Sequence, residues 1–478
     1  AWYPVNVTFG LPPGLRRYEF AAVVYHYSLR PTYHWLTPDV RDYLAGSAPY
    51  RVAIFQDEIW YFRERDRFLA DLRIDCLFSR HKPHHVRDVY GARVADYAHY
   101  LAGYVADGLV ARAARLTRPY PERSTDVGYR GRRLGYYFGR GGQEKGEIAE
   151  RFAELTSGRG LRLDVASRES DRLYGEHWDR FLADCKAVLG VEGGVSVIDR
   201  TGRFRDLYDR LIAQNPKLTF ADYVAAAGPD FEALEDRIDY RCLTPRHFES
   251  AAFRNLQILF EGKYDGVLEP WTHYVPLKKD FSNLDDVLAV LADPVRATAI
   301  TDRAYADLIA SGRYTYQGFV RSFDDRLAAA RRVGPVDPRL DRDLRAYLAD
   351  WDRFQSRARD FAVLAADRNK RGEADRGVAT AAELFNAYRP RVEARAPGEH
   401  AGVRAWYRRV ADRGFWAQVE RWLGAPVPAR PEFDPTSVQR SILERVLTTP
   451  ATAWRMTRLY AARAARKARR AFGRPATV

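Results

Sequence analysis

The chain is predicted to be α/β, with two parallel sheets of Rossmann type followed by an α-helical C-terminal extension. Three observations carry this. Short apolar runs alternate with helical segments between about residues 20 and 80, and such alternation lays strands side by side in a parallel sheet. A second alternating series starts at Asp126. From about residue 334 the pattern turns to segments rich in Asp, Arg and Ala, with no strand runs. At 478 residues the chain is too long for one core, and its 46% hydrophobic and 13% aromatic content can fill more than one.

In the first unit, buried strands are expected at 4–10 (PVNVTFG), 20–27 (FAAVVYHY), 51–56 (RVAIFQ) and 74–79 (IDCLFS). Continuous apolar runs of this length mark strands covered on both faces. Helices are expected at Leu36–Leu44 and Phe62–Leu72. Residues 111–125, rich in Arg, Pro and Thr, read as a linker. The second unit then runs as strand Asp126–Tyr129, helix Glu144–Leu155, strand Leu161–Val165, helix Glu176–Leu182 and strand Ala187–Val191. Residues 203–240 read as a helical insertion. Thr244 is placed to cap a helix whose first residue is Pro245, and an apolar strand follows at Leu256–Phe260. The expected domains are 1–115, 116–330 with the insertion inside it, a helical extension over 331–436, and a basic helical tail over 437–478.

The net charge of +14 is concentrated at one end. Nine Lys and Arg residues and no acidic residue follow Glu444, which leaves +5 for the rest. A body with so modest an excess is not built to track nucleic acid. The tail places Leu443, Val446, Leu447, Trp454, Leu459, Tyr460 and Phe472 beside dense positive charge, which suits docking of 437–474 on an anionic membrane surface; a solvated tail has the same composition. Cys76, Cys185 and Cys242 are far apart without metal-ligand spacing, as in reduced thiols of a cytoplasmic protein. The opening AWYPVNVTFG has neither a basic n-region nor a long apolar stretch, so no signal peptide is expected there. It also lacks Met, and an upstream segment is expected.

The densest chemistry lies between Leu243 and Asn283. A helix N-terminus attracts phosphate, and a carboxylate one turn in can hold a ribose diol. Thr244, Arg246 and Glu249 provide such a helix start, and the loop after Phe260 adds Glu261, Gly262, Asp265 and Gly266 before Lys278, Lys279 and Asp280. Between the first strand and helix of the second unit, Gly139, Arg140, Gly141, Gly142 and Lys145 form a glycine-rich loop. There a backbone can approach a diphosphate and a cation can neutralise it. A plain glycine turn reads the same way. Arg168 and Glu169 follow a strand, as do Glu192, Gly193 and Gly194, and strand ends are where open α/β sheets bind ligands. Glu192 could meet a sugar hydroxyl or cap a helix. His81, His84 and His85 lack the carboxylate or thiolate that would complete a metal site, so no metal is expected.

Several blocks in order resemble the GT-B glycosyltransferases, in the glycosyltransferase family 1 or CgeB-like branch. They are YRGRRLGYYFGRGGQEKGEIAERF (129–152), LRLDVASRESDRLYG (161–175), LGVEGGVSVIDRTG (189–202), LTPRHFESAAFRNLQILFEGKYDGVLEPWTHYVPLKKDFSN (243–283) and RAYADLIASGRYTYQGFV (303–320). The resemblance covers roughly residues 1–325. It implies transfer of a sugar from a nucleotide-diphosphate donor to a cell-surface glycan or glycolipid, in polysaccharide biosynthesis, with the nucleotide sugar as substrate and no cofactor. The donor side would comprise Arg140, Gly141, Gly142, Lys145, Arg168, Gly193, Gly194, Thr244, Arg246, Glu249, Glu261 and Gly262. Glu249 matches the second glutamate of the Glu-x7-Glu motif of retaining members, but Arg241 stands where the first would fall, so the retaining mechanism is not carried over. In such a cleft His26 and Asp57 face the donor domain and are the candidate bases for an acceptor hydroxyl, with His34 and Glu58 next, and Glu192 is the third catalytic candidate. Two other readings compete: a non-catalytic nucleotide-binding scaffold, and an NAD-linked oxidoreductase, against which stands the missing G-x-G-x-x-G after an early strand.

Overall fold

The computed structural model describes residues 1–7, 11–12, 15–28, 38–46, 50–91, 94–168, 171–330, 335–349 and 351–352. The expected helical extension beyond 352, the tail at 437–474, His34 and Glu169 lie outside these residues. The chain divides into two compact units. One comprises 1–20, 33–47 and 334–478, and the other 21–32 and 48–333.

In the first of these units, residues 338–349 are helical and hold the N-terminal segment. Tyr3 Oη donates to Asp341 at 2.7 Å, and Trp351 Nε1 donates to the carbonyl of Asn6 at 2.6 Å. Helix α1, Pro38–Gly46, also belongs here. The strand expected at 4–10 is not formed over its described part: residues 4–7 are irregular. An apolar run marks a segment for burial without fixing its backbone. Val7 is buried, but no sheet partner is supplied.

The larger unit contains two parallel sheets. The first has strands β1 (Ala22–Tyr25), β2 (Tyr50–Ile54), β3 (Cys76–Ser79) and β4 (Asp96–His99), in the order β1-β2-β3-β4. Helices α2 (Phe62–Asp71) and α3 (Pro83–Val89) lie between β2 and β4 in sequence. The expected linker is instead partly helix, α4 (Leu109–Leu116), followed by a short turn at Tyr120–Glu122. Alternating Ala and Leu with Arg are good helix formers, and Leu109 and Ala113 give them a buried face.

The second sheet has strands β5 (Thr125–Arg130), β6 (Leu163–Ala166), β7 (Cys185–Gly190), β8 (Leu256–Phe260) and β9 (Val275–Leu277), in the order β6-β5-β7-β8-β9. Helices α5 (Arg140–Leu155) and α6 (Glu176–Asp184) are its first crossovers. The insertion expected at 203–240 contains α7 (Arg203–Gln214), α8 (Phe220–Ala227) and α9 (Pro229–Glu232), around its own small core of Val197, Phe204, Leu218, Tyr223 and Phe231. Helix α10 (Pro245–Ala252) precedes β8, and α11 (Leu284–Ala292), α12 (Pro294–Tyr305) and α13 (Tyr316–Ala330) follow β9. Apolar side chains cover both faces of this sheet, Ile148, Phe152 and Ile258 on one and Phe181, Phe248 and Leu259 on the other. That is what a parallel sheet requires.

The first sheet depends on residues far away in sequence. Val52, Ile54, Cys76 and Phe78 pack against Phe323 and Leu327 of α13. Arg326 of α13 fixes the register with ion pairs to Asp96, one at 2.7 Å, and a hydrogen bond to the Tyr97 carbonyl at 2.9 Å. Two parallel sheets of Rossmann type, the architecture of GT-B-like chains, are thus present.

Candidate active site at the facing ends of the two sheets

The carboxyl ends of the two sheets meet. Arg80, just after β3, pairs with Asp265, just after β8, at 3.4 Å. The backbone N–H of Glu58, after β2, donates to Tyr240 Oη at 2.9 Å. Lys82 reaches Asp239 at 2.6 Å, and the rings of Trp60 and Phe138 lie 5.3 Å apart. Strand order in the second sheet reverses between β5 and β7. Beyond such a switch point the outgoing connections diverge to opposite faces and leave a crevice, the usual ligand site of open α/β sheets.

Lys145 occupies that crevice. Its backbone carbonyl accepts from Tyr129 Oη at 2.5 Å, and its Nζ points to the carbonyl of Gly194 at 3.4 Å. This brings together the glycine-rich loop after β5 and the loop after β7. Burial lowers the pKa of Lys145, and the positive charges of Arg132 and Arg246 push it the same way. The ammonium is therefore partly desolvated, with two cations among its neighbours and Cys242 and Glu144 opposing their effect. An incoming anion favours the charged form against both the desolvation and the cations.

The leading amides of α5 are already satisfied. Gly141 N–H donates to Ser196 Oγ at 2.8 Å, and Gly142 N–H donates to the carbonyl of Gly139 at 3.1 Å. Arg140 N–H donates to Glu235 Oε1 at 2.9 Å, while the Arg140 side chain is exposed. A diphosphate at these amides must displace Glu235 of the insertion. Gly193 and Gly194 do permit a close backbone approach, but to this chain's own segment 240–244. Gly193 exchanges hydrogen bonds with Cys242, and a Cβ on Gly194 would lie 2.1 Å from the Tyr240 carbonyl oxygen.

Helix α10 starts as its sequence implies, with Thr244 before Pro245, and His247 fills the third helical position. Its Nδ1 accepts the Thr244 N–H at 3.0 Å. Burial holds this imidazole neutral, with a pKa of about 4. Arg246 donates to the Arg130 carbonyl at the end of β5 and lies over the Trp178 ring, 5.4 Å from its centroid. Glu249 Oε2 accepts from Trp178 Nε1 at 2.9 Å, and burial raises its pKa. Arg246, Glu249 and Trp178 therefore form one group beside β5, near Lys145.

Other candidates are placed less closely. Arg168 is exposed beyond the edge strand β6. Glu261 and Gly262 are exposed after β8. Glu192 is buried, and its Oε1 accepts the backbone N–H groups of Lys263 and Tyr264 at 3.1 and 2.8 Å, so this oxygen pins the loop after β8. Arg241, with 12% side-chain exposure, is locked between Glu144 and Asp236 at 2.8 Å each, and Lys279 takes the other oxygen of Glu144 at 2.7 Å.

On the first sheet, His26 is exposed after β1. Its Nδ1 lies 2.8 Å from Ser28 Oγ, and partial desolvation by the surrounding chain lowers its pKa although the residue is exposed. Asp57 is exposed at φ 50°, and its carbonyl accepts from Arg65 at 3.2 Å. The buried carboxylate there is Glu58. It accepts from Ser79 Oγ at 2.8 Å, the Arg80 N–H at 2.6 Å and Tyr90 Oη at 2.8 Å. His81, read from sequence as part of a basic loop, is instead fully buried and neutral, its pKa lowered by burial to about 3. No group of three or more His, Cys, Asp or Glu side chains able to hold a metal ion occurs among the described residues. The sequence reading missed Tyr240, Arg80 and His99 as site residues. Their one sequence signal is position, since Arg80 and His99 close strand runs.

No protein-family profile matches the chain, and no curated protein sequence matches it. Solved structures do. TarM aligns over 58% of this chain and 50% of its own, at 11% identity and a TM-score of 0.31. An alpha-glucosyltransferase in complex with UDP and a mismatch-containing DNA aligns over 64% of this chain and 79% of its own, at 11% identity and a TM-score of 0.35. Anabaena HepE in complex with UDP and glucose aligns over 65% and 78%, at 10% identity and a TM-score of 0.35. The chain thus spans half the length of TarM. At such scores the fold assignment rests on the strand order itself.

Proposed function

We propose that the protein is a glycosyltransferase that takes a sugar from a nucleoside-diphosphate donor, in the CgeB-like branch that its sequence blocks resemble. The observation that carries the reading is Lys145, half-buried at the switch point with Arg132 and Arg246 among its charged neighbours and a carbonyl for its hydrogen-bond partner. A diphosphate completes this cluster, and the same cations offset charge on the departing diphosphate as the anomeric C–O bond breaks. Glu249, beside Trp178, is suited to a ribose diol. The acceptor hydroxyl is delivered from the first sheet, with His26 and Asp57 the bases to test. A cell-surface glycan or glycolipid acceptor, and attachment to the cytoplasmic face of a membrane through 437–474, belong to this reading. No helix among the described residues is long and apolar enough to cross a membrane.

The test is calorimetric titration with UDP, GDP, TDP and CMP, with NAD as control. One nucleoside diphosphate is expected to bind, with affinity reduced about tenfold or more in Lys145→Gln, because a charge-assisted contact is lost, and reduced again in Glu249→Ala. Binding of NAD alone rejects the reading. Binding that is indifferent to both substitutions also rejects it.

A further inference from the structure

Asp265 has an unusual setting. It follows β8 in a single turn at Tyr264–Gly266, where Tyr264 and Asp265 both have left-handed φ, 43° and 55°. Two such residues in succession are strained, and the turn is held by Glu192 on two backbone amides and by Tyr264 Oη on the Phe260 carbonyl at 2.6 Å. The strain aims one carboxylate into the junction of the two sheets. Oδ2 accepts the Leu243 N–H at 3.0 Å and faces Arg80 at 3.4 Å. Oδ1 is buried and has no hydrogen-bond partner among the described residues, in a side chain only 2% exposed. Leaving a buried acceptor unpaired forfeits its hydration without replacing it. The positions of Arg80 and His99 supply the rest of the group: Arg80 NH1 lies 3.4 Å from His99 Nε2, and the guanidinium lies over the Tyr100 ring. Burial, with Arg80 beside it, lowers the pKa of His99 to about 4, so the ring is neutral.

The missing partner of Oδ1 must be a hydrogen-bond donor. A cation is disfavoured by Arg80, an anion by the carboxylate itself. A neutral hydroxyl satisfies Oδ1, and its oxygen can accept from the adjacent guanidinium. We propose that Asp265, Arg80 and His99 form a subsite for the hydroxyls of a neutral sugar. The proposal deepens the glycosyl-transfer reading and rests on it for the sugar's source, either the donor or the acceptor. Such a site discriminates strongly, because a ligand lacking the hydroxyl leaves the polar groups unpaired.

Asp265→Asn is the informative variant, since Asn tolerates left-handed φ as Asp does. Wild type and variant are titrated with UDP, UDP-glucose, and free glucose, galactose, mannose and N-acetylglucosamine, with and without UDP. In wild type a sugar-bearing probe is expected to bind, and in the variant its affinity falls about tenfold or more while UDP binds within about twofold of wild type. Loss confined to UDP-glucose assigns the subsite to the donor sugar; loss confined to free sugars assigns it to the acceptor. His99→Gln, which leaves the strained turn untouched, is expected to show the same split. If wild type binds free sugar but no nucleotide, and Asp265→Asn loses the sugar, the donor reading falls and the subsite stands. Equal behaviour of wild type and both variants towards every probe overturns the subsite.

Discussion

The two sheets share a construction and differ in what they do with their carboxyl ends. In the first, strand order follows the chain, β1 to β4, and a buried carboxylate beyond the strands is satisfied locally: Glu58 takes three donors from Ser79, Arg80 and Tyr90. In the second, the order reverses between β5 and β7, and Lys145 at the crevice has a carbonyl for its hydrogen-bond partner and two arginines, besides Glu144 and Cys242, among its charged neighbours. The difference shows how the same strand-end geometry serves two ends. Where connections stay on one course, polar groups can close a network and rigidify loops. Where they diverge, one group is left for a ligand to complete.

This contrast can be broken most forcefully on the first sheet. Glu58→Ala leaves three buried donors unpaired and is expected to lower stability by roughly 3–5 kcal/mol, read as a fall in the urea midpoint with little change in slope. A loss below about 1 kcal/mol would show that the network does not hold this sheet's loops. On the second sheet, Gly194→Ala places a side chain at φ 80° against the Tyr240 carbonyl. About 2–3 kcal/mol of strain is expected, together with weakened nucleotide binding as the loop after β7 moves away from Lys145. Unchanged stability would mean that the 240–244 segment is free to yield.

The third test uses pH. His247 is neutral in the folded protein, with a pKa of about 4 against 6.5 ordinarily. Between these values the unfolded chain binds the proton and the folded one does not, so stability falls as pH drops below about 6.5. From pH 7 to pH 5 this group alone accounts for about 2 kcal/mol. His247→Gln retains an acceptor for the Thr244 N–H and removes the titration. A flatter decline between pH 7 and 5 is expected in chemical denaturation, and an identical decline would locate the acid sensitivity elsewhere, with His81 and His99 the next to change.

The central strands were legible because a strand buried on both faces reads as an apolar run. LQILF at 256–260 forms a strand over those same five residues. Two of the edge strands, β4 and β9, were not. DYAH in β4 is half polar and only partly buried, and β9 has three residues with Pro276 in the middle, so neither supplies a periodic signal. The same limit explains why no strand forms over 4–7, the described part of the expected strand, where burial and sheet pairing part company. Within the site, Thr244 and Pro245 announced a helix start and the glycines announced tight backbone. The junction itself joins Glu58 to Tyr240 and Arg80 to Asp265, residues more than 180 positions apart. No local pattern encodes such a meeting. The loop glycines were legible as close approaches, but what they approach is the protein's own chain.

The packing of α13 on the first sheet also sets an order of events during synthesis. Strands β2 and β3 emerge from the ribosome early, yet the apolar face formed by Val52, Ile54, Cys76 and Phe78 is closed by Phe323 and Leu327. The whole second sheet must be made before that cover exists. Domains generally mature from the N-terminus as they are translated, and exposed apolar strands are the segments that aggregate. Here the later sheet can complete its core first, and the earlier one waits for it. The first sheet is a dependent of the second in the growing chain, and its apolar face lacks this cover until α13 arrives.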